Sequence, residues 1–390
     1  MLIVRRAAKS LTALAKEYPV VVVTGPRQSG KTTLCRAAFP ALPYASLEEP
    51  DVRDFAVADP RAFLAQYPDG ALLDEIQRAP ELLSYLQGIV DRAPRPGSFV
   101  LTGSQQLDVL AGVSQTLAGR AGLLSLLPFA LGELPERLAP RSIEQLLFGG
   151  LYPPIHDRRL EPSRWHANYV QTYLERDLRQ VVNVRDLASF RVFLRLCAGR
   201  TGQLLNLSGL AADCGITHNT AKAWLSVLEA SFIVVLLRPH FRNFGKRLVK
   251  TPKLYFVDPG LAAWLLEIRS EEQLIAHPLR GALFETWAIA ELLKGRANAA
   301  LASNLYFWRD RAGREVDCVL DRGTTLVPIE VKAGQTLASD YFDALARFAA
   351  LAGELAAPGW IVYGGSRVEK RSAATALPWR SIDSLIKSNL

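Results

Sequence analysis

Residues 20–33 read VVVVTGPRQSGKTT. Four consecutive valines suit a parallel strand covered on both faces, because β-branched side chains pack well on a buried pleated surface. The strand, Pro19 to Val23, runs into Gly25-Pro26-Arg27-Gln28-Ser29-Gly30-Lys31-Thr32, with Thr33 following, and meets GxxxxGK[ST] at every fixed position. The glycines let the backbone curl so that its N–H groups face a phosphate, and the helix that follows adds its positive end. In such a cradle Lys31 reaches the β- and γ-phosphates and Thr32 holds Mg²⁺ through its hydroxyl. All of Gly25 to Thr33 are therefore nucleotide-binding candidates, and ATP with Mg²⁺ are the expected cofactors.

Working outward, Ala71-Leu72-Leu73 reads as a second strand that delivers Asp74 and Glu75 at its end. Asp74 is placed to take the Mg²⁺, and Glu75 to orient the attacking water. A third strand, SFVLTGS at 98–104, ends at Thr102, Gly103 and Ser104. Ser104 is the candidate for sensing the γ-phosphate. Strands separated by helical segments imply an α/β fold with a doubly wound parallel sheet and its ligand at the carboxyl ends of the strands. Such ATPases also use a cation against transition-state charge, often lent by a neighbouring subunit. Arg120, in LAGRAGLLSLLPFALGEL, is the favoured arginine, with Arg27, Arg92 and Arg95 as rivals.

The chain has 390 residues, too many for one core of usual size, so two to four domains are expected. Apolar residues at 49% and charged ones at 22% exclude disorder as the default. A net charge of +8 favours a polyanionic partner. Cys35, Cys197, Cys214 and Cys318 stand far apart without CxxC spacing and read as reduced, mostly buried thiols. No apolar stretch reaches the ~18 residues that a membrane span needs, and the start shows no signal-peptide core, so a cytoplasmic location is expected.

The four expected segments are an ATPase core at 1–127, a helical lid and connector at 128–196, a winged helix at 197–272 and a nuclease-like domain at 273–390. Residues 204–230, LLNLSGLAADCGITHNTAKAWLSVLEA, spell a short helix to Asp213, a turn, and a second helix capped by Thr217. His218, Asn219 and Lys222 stand at the exposed start of that second helix, where helix-turn-helix proteins read DNA. After the strand FIVVLL comes RPHFRNFGKRLVKTPK at 238–253, with six Lys/Arg and no acid. It reads as a basic wing, so Arg242, Lys246, Arg247, Lys250 and Lys253 join the DNA-binding candidates.

Residues 314–334 read REVDCVLDRGTTLVPIEVKAG. Side chains alternate along a strand, so Glu315 and Asp317 share one face, as do Glu330 and Lys332. Pairing the two strands would gather Asp317, Glu330 and Lys332, while an amphipathic helix, LFETWAIAELLK, brings Glu285. Carboxylates hold Mg²⁺ with waters still attached. With the lysine, such a metal would position a hydroxide against a phosphodiester. Glu285, Asp317 and Glu330 are thus candidate metal ligands, and Asp317, Glu330 and Lys332 candidate catalytic residues.

With these motifs in hand, the chain resembles the bacterial and archaeal family in which an AAA-type ATPase domain, AAA_14, is joined to a DUF4143 region. GPRQSGKTTL, LLDEIQ, LTGSQQ, LAGRAGLLSLLPF, GGLYPP, YLERDL, KRLVKTPKLYFVDPGLAAWLL, LFETW and EVDCVL…PIEVKAG carry the resemblance over nearly the whole length. It implies an AAA-type P-loop module, a winged helix and a C-terminal restriction-endonuclease-like fold of the PD-(D/E)xK type. Lys31 and Thr32 match the Walker A pair, Asp74 and Glu75 the Walker B acids, and Glu285, Asp317, Glu330 and Lys332 the nuclease-type positions. The literal Pro-Asp dipeptide is absent, since Asp317 follows Val316.

The resulting expectation is a DNA-acting ATPase that assembles as a homo-oligomer, with a hexameric ring favoured, and works on duplex or branched DNA without a membrane partner. The alternatives are an ATP-gated metal-dependent nuclease and an ATP-dependent switch that binds protein partners.

Overall fold

The computed structural model describes residues 3–104, 113, 115–174, 187–240, 250–310, 312–372 and 374–389. They divide into two compact units. One comprises Met1–Phe129, Ala230–Phe232 and Arg296–Ala302; the other comprises Ala130–Glu229, Ile233–Gly295 and Ser303–Leu390.

The first unit is built on five parallel strands: β1 (Val20–Thr24), β2 (Tyr44–Ser46), β3 (Ala71–Asp74), β4 (Phe99–Gly103) and β5 (Ala121–Ser125), in the order β2-β3-β4-β1-β5. The four valines of β1 explain the layers. Val20 and Val22 face one core with Leu73, Leu101 and helix α5 (Leu82–Arg92); Val21 and Val23 face the other with Leu72, Val100 and helix α1 (Ala7–Glu17). Each helix offers the matching stripe: Ala7, Leu11 and Ala15 on α1, and Leu82, Leu86 and Val90 on α5. Fully burying a valine or leucine side chain stabilises the unit by about 1.5–3 kcal/mol. The P-loop leads from β1 into α2 (Lys31–Ala38), while α3 (Pro50–Ala58) and α4 (Pro60–Ala65) join β2 to β3. This is the doubly wound parallel arrangement expected from the sequence.

The second unit begins with helices α6 (Ile143–Gly149), α7 (Pro153–Asp157) and α8 (Pro162–Tyr169), then α9 (Leu187–Gly199), β6 (Gln203–Leu204), α10 (Leu207–Asp213) and α11 (His218–Ala230). Thr217 Oγ1 accepts the Thr220 N–H at 3.1 Å, which caps α11 where the sequence predicts. Strands β7 (Val234–Leu237) and β8 (Lys253–Phe256) follow, and β6-β8-β7 form an antiparallel sheet. Helices α12 (Pro259–Leu265) and α13 (Glu271–Ile275) then lead to the 19-residue α14 (Arg280–Asn298). The segment expected as a lid lies in this unit, with α12 packed against α6. There Asp258 accepts the Leu151 N–H at 2.7 Å and the Leu261 N–H at 3.0 Å.

A six-stranded mixed sheet completes the unit: β9 (Leu305–Arg309), β10 (Glu315–Asp321), β11 (Leu326–Lys332), β12 (Gly359–Tyr363), β13 (Glu369–Lys370) and β14 (Ala374–Pro378), in the order β13-β14-β12-β11-β10-β9. The meander β9-β10-β11 is antiparallel; after α15 (Asp343–Ala352), β12 returns parallel to β11, and α16 (Ile382–Asn389) follows β14. Leu345 and Phe348 from α15 pack on Val316, Val319 and Ile361 of the sheet. Just past β7, His240 N donates to Phe307 O at 2.8 Å and Phe307 N to Arg238 O at 3.0 Å. These bonds join the chain leaving β7 to β9.

Helix α14 departs from the amphipathic helix that the sequence leads one to expect. Leu283, Phe284, Thr286, Trp287, Ala288, Ile289, Ala290 and Glu291 are all buried, so it is a central rather than a surface helix. The four cysteines are free and buried, and no described helix is long and apolar enough to cross a membrane.

Candidate functional site

The order β3-β4-β1 places three motif-bearing strand ends side by side. Gly25 has φ +149°, and a Cβ there would lie 2.1 Å from the Leu126 carbonyl oxygen, so only glycine permits this approach of loop to strand end. Gln28 (φ 60°) and Gly30 (φ 91°) complete the curl that starts α2. Ser29 Oγ is buried with no hydrogen-bond partner. A loop whose first position admits only glycine, with a buried hydroxyl lacking a partner, fits a bound phosphate.

Lys31 Nζ is buried and donates to the carbonyls of Gly25 at 2.9 Å and Pro26 at 3.0 Å. Burial lowers its pKa, against the pull of Glu75 and Asp74. Thr32 Oγ1 lies 2.9 Å from Asp74 Oδ2 and 3.0 Å from Oδ1, the pairing of hydroxyl and carboxylate that a divalent ion at a P-loop uses. Thr33, one position on, is exposed.

Asp74 is held by two residues that sequence reasoning missed: Tyr44 OH donates to its Oδ2 at 2.9 Å, and the Thr102 hydroxyl also donates to it. Glu75 sits at φ +58°, a left-handed conformation that costs energy for a residue with a Cβ. Its carboxylate accepts from Ser104 Oγ at 3.0 Å and from the Gln77 amide. Ser104 therefore addresses Glu75 directly. Gln77 was legible in LLDEIQ, and Thr102 in LTGS, as polar residues beside the named acids.

Arg5 was also missed. Its guanidinium donates to Ser29 O and Leu127 O, each at 2.7 Å, and lies 4.7 Å from the Phe129 ring centroid, tying the loop to the strand end beyond it. Arg120 is paired in its own chain with Asp91, with Nη2 3.0 Å from Oδ2. Arg27 reaches Glu48 at 3.5 Å, and Arg95 pairs with Asp69 at 2.8 Å.

In the second unit the register Cys318↔Ile329 sets Asp317 and Glu330 on facing strands, as the alternation predicts. Val331 N donates to Asp317 Oδ2 at 2.9 Å, and Lys332 Nζ lies 2.6 Å from Glu330 Oε2 and 3.7 Å from Asp317 Oδ2. Glu330 is 2% exposed, and its Oε1 has no hydrogen-bond partner. Burial, reinforced by Asp317, pushes the Glu330 carboxyl well above its ordinary pKa. Burial works against the Lys332 ammonium, but Asp317 and Glu330 outweigh it and raise its pKa. An orphaned, buried carboxylate oxygen beside a second acid fits a divalent cation, because hard oxygen donors bind Mg²⁺.

Glu285 joins this cluster through a different partner. Its Oε1 lies 3.1 Å from Lys253 Nζ and accepts from Tyr255 OH. Lys253 also pairs with Glu315, which Arg309 reaches at 3.1 Å. Burial, with the charge of Asp317, pushes the Glu285 carboxyl up to about 7, while Lys253 restrains the rise. Among the described residues, no group of three or more His, Cys, Asp or Glu side chains is arranged to hold a metal ion.

The basic run suggests Lys253 as a DNA contact, but the structure buries it. It is 2% exposed and paired with two acids, Glu285 of α14 and Glu315 of β10. His218, Asn219, Lys222 and Lys250 are exposed. Arg242, Lys246 and Arg247 lie outside the described residues.

Comparison with known proteins matches three family models in order: an AAA domain (AAA_14) at residues 17–135, a domain of unknown function (DUF8612) at 140–272 and a domain of unknown function (DUF4143) at 280–382. Uncharacterized protein Rv2008c of Mycobacterium tuberculosis (strain ATCC 25618 / H37Rv) is 35% identical over 340 residues, covering 86% of this chain and 75% of its own length. Uncharacterized protein Mb2031c of Mycobacterium bovis matches to the same extent. Among solved structures, the Walker-type ATPase PABY2304 of Pyrococcus abyssi is 16% identical, with a TM-score of 0.38 over 66% of this chain and 94% of that one. That likeness is too loose to transfer residue roles. The ordered family matches and the mycobacterial relatives agree with the P-loop geometry of the first unit: the chain belongs to the AAA_14/DUF4143 family of AAA-type P-loop ATPases.

Proposed function

We propose that this protein is a cytoplasmic ATPase that binds DNA, duplex or branched, and remodels it or moves along it. It would act as a homo-oligomer, with a hexameric ring as the favoured form. The observation that carries the ATPase reading is the meeting of Thr32 Oγ1 with Asp74 at 2.9 Å beneath a loop that only glycine can form. Thr32 and Asp74 are the residues that would hold Mg²⁺, which supplies charge against the phosphate oxygens. Lys31 exchanges its two carbonyl partners for β- and γ-phosphate oxygens. Glu75, steered by Ser104 and Gln77, orients the attacking water. Arg120 is the arginine proposed to act on a neighbouring subunit's nucleotide.

For DNA, the support is the order α9-β6-α10-α11-β7-β8 with its β6-β8-β7 sheet, which suits a winged helix, and the exposed His218, Asn219 and Lys222 at the start of α11. Backbone phosphates would set affinity there. The C-terminal order α14-β9-β10-β11-α15-β12, with two acids and a lysine on facing strands, suits a PD-(D/E)xK nuclease-like domain used at least for DNA binding.

The test is ATP hydrolysis with Mg²⁺, alone and with single-stranded, duplex, forked and four-way DNA. Stimulation by duplex or branched DNA is expected; turnover indifferent to every DNA refutes the reading. A second reading, an ATP-gated nuclease, is favoured by the unpartnered Glu330 Oε1. Metal-dependent cleavage lost in Glu330→Ala would support a nuclease, and a change of its ATP response in Lys31→Ala would support the gate.

A further inference from the structure

The C-terminal acid cluster contains four carboxylates and three cations, and they are not shared evenly. Glu285 and Glu315 both belong to Lys253, with Tyr255 and Arg309 as their second partners. Asp317 and Glu330 share Lys332, which sits at the edge of the cluster with its side chain 32% exposed; the charge of Asp317 also acts on Lys253 and Glu285, so Asp317 stands where the two halves meet. Lys253 is enclosed instead: its side chain is 3% exposed, and Nζ lies 5.7 Å from the Phe307 ring centroid and 5.9 Å from that of Tyr255. A buried ammonium between two carboxylates does the charge-neutralising work of a metal ion, without the waters an ion would keep. The buried carboxylate oxygen with no partner, Glu330 Oε1, lies in the other half of the cluster.

We propose that Lys253 is the resident cation of the Glu285/Glu315 half of this cluster, so that the C-terminal centre is a one-ion site whose divalent ion rests on Asp317 and Glu330. Glu285 then serves as a partner of Lys253 and not as a metal ligand. Lys253 is a positioning residue: it reaches the cluster from β8, outside the helix and meander that carry the four acids, and so makes the central region a structural part of the C-terminal centre. The inference rests on the reading of Asp317 and Glu330 as a metal site.

The test is a Mn²⁺ titration of the full-length protein without nucleotide, followed by electron paramagnetic resonance of free Mn²⁺, counting the sites abolished by E330Q. One such site per chain is expected in the wild type. E285Q should keep it with a Kd changed less than about tenfold, since the variant removes a partner of Lys253 and no ligand. K253M should bind one Mn²⁺ more in total than the wild type, between Glu285 and Glu315 and insensitive to E330Q; where K253M does not fold, E285Q alone decides. Loss of the ion in E285Q to the extent seen in E330Q overturns the assignment, as does a wild type with two such sites or a folded K253M that binds no more in total than the wild type. A wild type with no E330Q-sensitive ion overturns the metal site itself and the inference with it.

Discussion

Lys253 Nζ and Glu285 Oε1 lie 3.1 Å apart, an ion pair that joins the first residue of β8 to the interior of α14. Removing one partner of a buried pair strands the other charge, which typically costs about 3–5 kcal/mol. Lys253→Ala should therefore destabilise the second unit by roughly that amount, read as a lower denaturation midpoint, while Lys250→Ala on the exposed side should leave the midpoint unchanged within about 0.5 kcal/mol.

Gln77 and Ser104 both donate to the Glu75 carboxylate. A hydrogen bond to a charged group contributes about 1.5–3 kcal/mol, so Gln77→Ala should lower kcat for ATP by roughly 10- to 100-fold with little change in KM. Glu75→Gln should lower it further while leaving nucleotide affinity within a few-fold. Steady-state hydrolysis beside a nucleotide-binding titration separates these effects; a rise in KM at constant kcat would place Gln77 in binding instead.

Lys222 is exposed near the start of α11, and Lys253 is not. Lys222→Ala should weaken DNA binding about uniformly across sequences and reduce the slope of log affinity against log salt by about 1. A folded K253M protein should keep the wild-type slope. Fluorescence anisotropy across a salt series distinguishes the two.

Burial, with the charge of Asp317, pushes the Glu285 carboxyl up to about 7 from an ordinary 4.5. Because the folded pKa is raised, the stability this group contributes is fully present below about pH 4.5 and is lost as pH rises through about 7. The difference in melting temperature between E285Q and the wild type should therefore shift in favour of E285Q across that window and level off above it. Thermal unfolding in chelator from pH 4.5 to 8 measures it, and a constant difference would show that Glu285 does not titrate there.

Much of this was legible because the chemistry dictates wording. A phosphate cradle needs Gly25 and Gly30, and a buried parallel strand between two helical layers favours valine at all four of positions 20–23, so both motif and sheet could be read from one stretch. The facing of Asp317 and Glu330 followed from alternation once their two strands were taken to pair. Lys253 misleads because a basic run looks like a solvated one, and nothing local in KLYF says that its first side chain faces Glu285, 32 residues on. Tyr44 was invisible for the same reason: its bond to Asp74 depends on β2 lying next to β3. GGLYPP and VDPGL also carry a structural meaning that only contact reveals, since a Cβ on Gly150 would lie 2.2 Å from Asp258 Oδ1.

The hydrogen bonds between Arg238, His240 and Phe307 have a practical side. Strand β9 is the last in its sheet, and an uncovered last strand invites pairing with whatever chain arrives next. Here the segment leaving β7 occupies part of that rim. A protein cut near residue 273 to isolate the C-terminal region would leave with a raw margin and without Lys253, and should be prone to self-association through β9. The family's two modules of unknown function are, in this chain, stitched into one compact unit, so separating them would cut the seam at Lys253 and along β9.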